Sequence, residues 1–225
     1  MTQIWGKANS SGLMYQKEVV IMSNTKIITI GRQFGSGGKE IGEEISRRLG
    51  VPFYDKELLK EAAKASGICE ELFDSFDEKP TNSFLYSLVM DPYSLGFNSN
   101  GELPINHKVF LAAFDTIKKL ANDNGSCVFV GRCADYALKD TPNVLNVFIY
   151  SNIENRVKRI SEKYNLTEAK AKDLIKKEDK SRASYYNYYT SKRWGEMKGY
   201  DLCINTSAFG KERTVQMICD AAKIQ

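Results

Sequence analysis

The chain has 225 residues, which is enough for one α/β domain with a small additional lobe. Its composition is ordinary for a globular protein, and a net charge of +4 is too small to indicate nucleic-acid binding by itself. No apolar run approaches the length of a membrane span, and five scattered cysteines without C-x-x-C or metal spacing favour buried, reduced thiols and a cytoplasmic protein.

The predicted elements alternate between strands and helices and follow a tail at residues 1–24, which lacks a signal-peptide pattern and which we expect to be dispensable. Apolar runs predict strands at about 26–30, 51–54, 127–131, 143–150 and 201–205. Helical spacing of apolar residues predicts helices at about 38–49, 56–65, 68–76, 107–124, 153–163, 167–180 and 211–222. Residues 80–106 are predicted to be irregular, with one short helix near 84–90. This alternation predicts an α/β domain at residues 25–225, with a parallel sheet covered by helices on both faces.

The glycine-rich segment 31–42 joins the first strand to the first helix. A turn of this kind places backbone N–H groups and a helix N-terminus where phosphate oxygens bind. A glycine-rich turn that only connects the two elements is the alternative. We favour a phosphate site, to which we assign Arg32, Gly35, Ser36, Gly37, Gly38, Lys39 and Glu40.

This segment departs from the usual phosphate-loop motif, Gly-x-x-x-x-Gly-Lys-Ser/Thr, in both available registers. If Lys39 is the motif lysine, the first glycine is replaced by Gln33 and the hydroxyl residue by Glu40. If the glycines around Ser36 are aligned instead, Gly38 stands at the lysine position.

Two further candidates follow the second and third strands, at the carboxyl edge where parallel sheets bind ligands. Asp55 follows the second strand and Arg132 follows the third. An arginine at this edge can bind a phosphate with its planar guanidinium group. The alternative is a surface arginine paired with Asp135. We favour the phosphate contact because the glycine-rich segment ends at the same edge.

Basic residues then recur in the last third of the chain. Arg156 and Arg159 share one face of the helix that follows the fourth strand, where a solvated basic face is the alternative. Further basic residues accompany four tyrosines and Trp194: Lys176, Lys177, Lys180, Arg182, Lys192 and Arg193. This segment is compatible with a single-stranded nucleic-acid platform, with a lid over a nucleoside triphosphate, or with a helix whose tyrosines pack on the domain. Its position between the last two strands favours the lid.

These motifs together resemble the nucleoside monophosphate kinases, and in detail the cytidylate kinase-like branch of that group. The matching blocks lie at 31–42, 53–59, 130–136, 185–190 and 200–206, and the resemblance covers about residues 26–222. It implies a P-loop NTPase fold with five parallel strands, a helical monophosphate-binding insert at about 55–106 and a lid at about 176–198. It also implies ATP with Mg²⁺ as donor and a pyrimidine nucleotide as acceptor, most simply CMP or dCMP, with no membrane partner.

The resemblance implies roles by position. Gly35–Gly38 would surround the donor phosphates, and the acceptor would contact Asp55, Lys56, Arg132 and Asp135. The residues with catalytic roles would be Lys39, Arg132, Lys180 and Arg182, supported at the lid by Arg156, Arg159, Lys192 and Arg193. The single histidine, His107, argues against a histidine-based metal site or triad, and no general base is assigned because phosphoryl transfer depends mainly on positioning and charge.

The chain also departs from the family pattern. Cytidylate kinases carry Gly-Lys-Gly-Thr where this chain has Gly-Gly-Lys-Glu, an acid in place of Val130, and an arginine in place of Glu61, for which Lys56 or Lys60 could substitute. Loss of one well-placed charge contact can lower a rate by about 10²–10³. A catalytically weak or inactive nucleotide-binding protein is therefore the second hypothesis, and a nucleic-acid-binding module is the third.

Overall fold

The computed structural model describes residues 26–55, 64–65 and 105–224. The predicted tail at 1–24 and nearly all of the predicted insert, including Lys56, Lys60 and Glu61, lie outside the described residues. So do the helices predicted at 68–76 and 84–90, and the one predicted at 56–65 apart from its last two residues, which are helical.

The described part contains five strands and six helices. The strands are β1 (Ile27–Arg32), β2 (Phe53–Tyr54), β3 (Cys127–Val130), β4 (Val144–Tyr150) and β5 (Leu202–Asn205). The helices are α1 (Gly38–Leu49), α2 (Ile105–Asn124), α3 (Ala134–Ala137), α4 (Ile153–Tyr164), α5 (Glu168–Thr190) and α6 (Thr206–Ile224). A 3₁₀ turn at Met197–Gly199 precedes β5.

The strands form one parallel sheet in the order β2-β3-β1-β4-β5, which confirms the predicted five-stranded α/β fold. Strand β1 is central: Ile28 is aligned with Val128 of β3 on one side and with Leu145 of β4 on the other. The carboxyl end of β1 therefore has neighbouring strand ends on both sides, and this arrangement positions the site described below.

Alternating residues of β1 build two cores because successive side chains of a strand point to opposite faces. Ile28 and Ile30 belong to the core that includes Ile41 and Ile45 of α1. Ile27 belongs to the core on the opposite face, together with residues of α2 and β3. Full burial of an aliphatic side chain of this size contributes about 1.5–3 kcal/mol, so the two cores fix β1 and α1 firmly.

Two helices differ from the predicted bounds by more than two residues. Helix α5 continues to Thr190 instead of ending near residue 180. Tyr185, Tyr186 and Tyr189 recur there at helical spacing and pack against Phe110 of α2, a pattern that the many charged residues obscured. Helix α6 begins at Thr206 instead of residue 211 and is broken by left-handed backbone at Gly210, φ 69°.

The cysteines agree with the prediction in part. Cys127 is buried in the central part of the sheet, and burial raises the pKa of its thiol to about 12. Cys203 is only half-buried because β5 is an edge strand. In the ranges given above, none of the helices combines the length and apolar character that crossing a membrane requires.

Candidate functional site

The glycine-rich segment forms a tight loop between β1 and α1. Gly35 and Gly37 have positive φ, 79° and 87°, which residues with a side chain rarely adopt. Gly37 is the N-cap of α1 and provides no side-chain cap. The first N–H groups of a helix have no acceptor within the helix and carry partial positive charge. An anion at this end of α1 would meet those groups, and the phosphate site that the sequence predicts here stays a prediction.

Hydrogen bonds from neighbouring elements hold the loop in this shape. The backbone N–H of Gln33 donates to the carbonyl of Ile149 at 3.0 Å, and its side-chain oxygen accepts from the N–H of Ser151 at 3.2 Å. The hydroxyl of Thr206 donates to the carbonyl of Ser36 at 2.9 Å. The loop is thus attached to the carboxyl ends of both β4 and β5.

Ser36 itself has an internal role in the loop. Its side chain is fully buried, and its hydroxyl donates to the carbonyl of Gln33 at 2.8 Å. The hydroxyl of Ser36, which the sequence assigned to phosphate binding, therefore donates its hydrogen within the loop and helps to close it.

Arg156 and Arg159 both extend from α4 to the loop. The Nη1 group of buried Arg156 donates to Asp179 at 2.5 Å and to the carbonyl of Phe34 at 3.3 Å. The second carboxylate oxygen of Asp179 accepts from the N–H of Phe34 at 2.7 Å. The guanidinium of Arg159 lies against Gly37, so closely that a β-carbon on Gly37 would be 2.1 Å from its Nη1. The end of α1 thus faces a cation, with α4 and α5 linked to the loop beside it.

Arg182 reaches the same loop from α5. Its guanidinium donates to the carbonyl of Arg32 at 3.3 Å and lies 5.4 Å from the ring centre of Phe34. Arg32, Arg132 and Arg182 line one cleft between the ends of β1 and β3, together with Asp135. The structure therefore brings three predicted arginines to one place.

A second cationic centre surrounds Asp55 at the end of β2. The buried carboxylate of Asp55 lies 3.1 Å from Nζ of Lys39 and 3.9 Å from Nη2 of Arg132. Lys39 therefore extends toward the edge predicted for the acceptor instead of lying over the loop. Arg132 is bridged to Asp55, whereas the pairing with Asp135 was the alternative weighed above.

The backbone that carries Arg132 is strained. Gly131, Arg132 and Cys133 have consecutive positive φ values of 77°, 57° and 55°. For a residue with a side chain this conformation costs about 1–2 kcal/mol, and such strain is concentrated at functional sites. The strained turn directs the buried arginine into the cleft, which is consistent with a binding role.

Asp135 forms a separate polar pair in the same cleft. Its carboxylate accepts a hydrogen bond from the hydroxyl of Tyr186 at 2.6 Å. Burial raises the pKa of Asp135 despite this hydrogen bond and the nearby charge of Lys192. Burial and the charge of Asp135 also raise the pKa of Tyr186. Because the hydroxyl hydrogen of Tyr186 is already donated to Asp135, this pair offers a ligand acceptor oxygens.

Glu40 faces α4 and forms an ion pair with Lys163 at 3.2 Å. Burial alone would raise the pKa of Glu40, but a hydrogen bond from its own backbone N–H and the contact with Lys163 bring the pKa below its ordinary value. The negative charge of Glu40 beside the predicted phosphate site is thus compensated by a neighbouring cation.

We therefore expect Glu40→Gln to preserve nucleotide binding and to lower the free energy of unfolding at neutral pH by less than about 1 kcal/mol, the usual value of an exposed pair. Because folding lowers the pKa of Glu40, the stabilisation is present above its unfolded pKa of about 4.3 and is lost as the pH falls. Urea unfolding of both proteins at pH 7 and pH 3.5 measures this, with Lys163→Met as the matched variant. A loss of ADP binding in Glu40→Gln would contradict the assignment of Glu40 to a structural ion pair with Lys163.

The side chains of the remaining basic residues are exposed. Lys180 is exposed on α5, and Lys192 and Arg193 follow the end of that helix. Lys192 lies 6.0 Å from the ring centre of Tyr136, and Arg193 lines a separate open groove with Asn187. The lid role of these three cations therefore stays a prediction.

The four tyrosines of this segment are buried or half-buried against the domain. Tyr186 is buried, and the ring of Tyr189 stacks on Phe110 with centroids 4.0 Å apart. Rings used in this way are not presented to nucleobases, so the structure favours the packing interpretation over the nucleic-acid platform.

Sequence reasoning missed several residues that shape the site. Asp179, an acid within a basic run, was given no role, although it connects the loop to Arg156. Gln33 was considered only as a misplaced motif position, and Thr206 was part of a matched block without an assigned role. Acids inside basic segments and polar residues at strand ends were the available signals.

A family model described as the cytidylate kinase-like family matches residues 27–208. A cytidylate kinase of Methanobrevibacter smithii is 24% identical over 199 residues, covering 88% of this chain and 99% of the relative. A cytidylate kinase of Thermoplasma acidophilum is 23% identical over 181 residues, covering 80% of this chain and 82% of the relative. A solved structure of an uncharacterized protein from Eubacterium ventriosum is similar, with a TM-score of 0.67, 28% identity and coverage of 89% and 99%.

Proposed function

Because the chain belongs to the cytidylate kinase-like family, we propose that it transfers a phosphoryl group from ATP to a nucleoside monophosphate, with CMP or dCMP as the first candidates. The observation that carries the proposal is the pairing of two cationic centres at one sheet edge. One is the uncapped end of α1 facing Arg159, and the other is Arg132 beside Asp55. Phosphoryl transfer requires positively charged groups around both the donor and the acceptor phosphates.

On the donor side, the loop and the N-terminus of α1 would bind the phosphates of ATP. Backbone N–H groups at the start of α1 would donate to phosphate oxygens, and Arg159 would neutralise their charge. Arg156 is held by Asp179 against the loop, so its role is to keep the loop in shape.

On the acceptor side, Arg132 would bind the phosphate of the nucleoside monophosphate. Its strained turn fixes the direction of the guanidinium before the ligand arrives, which reduces the ordering needed in the transition state. Arg182 lines the same cleft from α5 and is suited to compensate the charge that develops between donor and acceptor.

Mg²⁺ bound to ATP would supply additional charge neutralisation on the transferred group. The described residues contain no group of three or more His, Cys, Asp or Glu side chains suited to hold a metal ion. Glu40 is also a poor candidate ligand for the ion, because its carboxylate is paired with Lys163. The phosphates themselves would carry the ion into the site.

The experiment is an acceptor screen with MgATP, following the formation of ADP and of a nucleoside diphosphate from CMP, dCMP, UMP and AMP. We expect turnover with at least one pyrimidine nucleotide, and none above background in a Lys39→Ala, Arg132→Ala double variant. Calorimetry with ADP runs in parallel. Binding without turnover would replace the proposal with a nucleotide sensor on the same fold, and the absence of both would refute it.

A further inference from the structure

The last residue of β1 and the first residue of α1 are in direct contact. A β-carbon built on Gly38 would lie 2.5 Å from Cβ of Arg32 and 3.0 Å from its Cγ. Real β-carbons do not approach other carbons so closely, so the stem of Arg32 occupies the space that a side chain at Gly38 would need. Arg32 is only 7% exposed, and it also lines the cleft that contains Arg132 and Arg182.

Gly38 is required here by space and not by backbone conformation. It is not among the glycines with positive φ, in contrast to Gly35 and Gly37 in the same loop. As the first residue of α1, it could carry a side chain if Arg32 were absent.

The phosphate-loop motif explains why this contact matters. In Gly-x-x-x-x-Gly-Lys, the lysine reaches the β- and γ-phosphates. With Gly37 as the second glycine of the motif, the first glycine falls on Arg32 and the lysine falls on Gly38. The chain therefore has a cation where the motif has glycine, and glycine where the motif has the cation. The two exchanged positions are the two that touch.

We propose that Arg32 is the phosphate-binding cation of the donor loop and that it takes the place of the motif lysine from the opposite side of the loop. This inference rests on the proposed function and adds a ligand contact to it. The guanidinium enters from the end of β1, and Gly38 leaves the passage open for it. Its planar group can bind two oxygens of a phosphate in a bidentate contact, whereas a lysine acts as a point charge.

The position of Lys39 supports the same assignment. Lys39 follows the motif position directly, but its ammonium lies 3.1 Å from Asp55 at the end of β2. Lys39 therefore lies at the edge of the sheet where the acceptor would bind. The carbonyl of Arg32 also accepts from Arg182, which fixes the backbone from which the Arg32 side chain extends.

The test is an exchange experiment with ADP as the probe. Arg32→Met is expected to weaken ADP binding in calorimetry by about 10–100-fold, the range of a charge-assisted contact. Arg32→Lys should retain an intermediate affinity. Gly38→Lys alone should lower both affinity and thermal midpoint because the new side chain meets Arg32. The double variant R32G/G38K restores the motif arrangement and should bind ADP more tightly than either R32G or G38K.

Thermal unfolding of every variant without ligand separates binding from folding. Native ADP affinity in a folded Arg32→Met protein would overturn the inference while leaving the proposed function intact. The inference would also be overturned if the loss of ADP-binding free energy in the double variant equalled the sum of the losses in R32G and G38K. Effects of independent sites are additive, whereas exchanged partners should compensate for each other. If the wild-type protein neither binds ADP nor transfers phosphate, the proposed function and this inference fail together.

Discussion

Replacement of Arg132 by methionine is expected to lower kcat/KM for the proposed transfer by about 10²–10³, the usual effect of removing one preorganised charge contact. Arg132 is 5% exposed and lies at the carboxyl end of β3 on strained backbone. It lines the cleft that also contains Arg182. Methionine fills a similar volume without the charge, so the loss should appear in the transfer and much less in the fold.

The measurement is a steady-state assay with the acceptor that the screen identifies. Arg213→Met, on the exposed surface of α6, is the matched control and should retain wild-type kinetics. Arg132→Lys should recover only part of the rate, since an ammonium cannot reproduce the planar guanidinium contact. An Arg132→Met protein that unfolds like the wild type and keeps its kcat/KM would exclude Arg132 from the reaction.

The structure around β1 and α1 could be read from the sequence because the signals are local. An apolar β-branched run followed by glycines and apolar residues at helical spacing predicts strand, loop and helix. The predicted helix 38–49 has the observed bounds, and Gly50 ends it in left-handed backbone. The parallel sheet followed from the alternation of such elements.

The contacts that hold the loop could not be predicted in the same way, because they join residues that are distant in the sequence. Phe34 and Asp179 are separated by 145 positions, and Ser36 and Thr206 by 170. Composition also misled where charge concealed periodicity, as in the second half of α5. Long-range contacts and hidden periodicity do not affect the prediction that the strand ends meet at one edge, because that follows from the parallel topology.

Spatial contact also changes the meaning of the irregular loop motif. The sequence shows a misplaced lysine and an acid in place of a hydroxyl residue, which together suggest a loop that has lost function. In the structure, Glu40 forms an ion pair with Lys163, and Lys39 forms one with Asp55. The side chain of Arg32 packs against Gly38. These departures fit one rearranged set of charges better than a series of independent losses.

Replacement of Gly37 by alanine is expected to weaken ADP binding by at least about tenfold while leaving the protein folded. The residue has φ 87°, so any side chain adds backbone strain of about 1–2 kcal/mol. The new methyl group would also lie 2.1 Å from Nη1 of Arg159 and must displace it. Since this atom ends a flexible side chain, the displacement is tolerated by the fold. It moves the cation away from the N-terminus of α1, where the phosphates would bind.

Gly50→Ala is the matched control, because the two glycines cap opposite ends of the same helix in left-handed backbone. Gly50 has φ 66°, and a β-carbon there meets nothing within 4 Å. Both variants should therefore lose a similar free energy of unfolding in urea, while only Gly37→Ala loses affinity for ADP in calorimetry. Equal affinities in the two variants would show that neither the open end of α1 nor the position of Arg159 matters for binding. A selective loss in Gly37→Ala would locate the donor phosphates at this end of the helix.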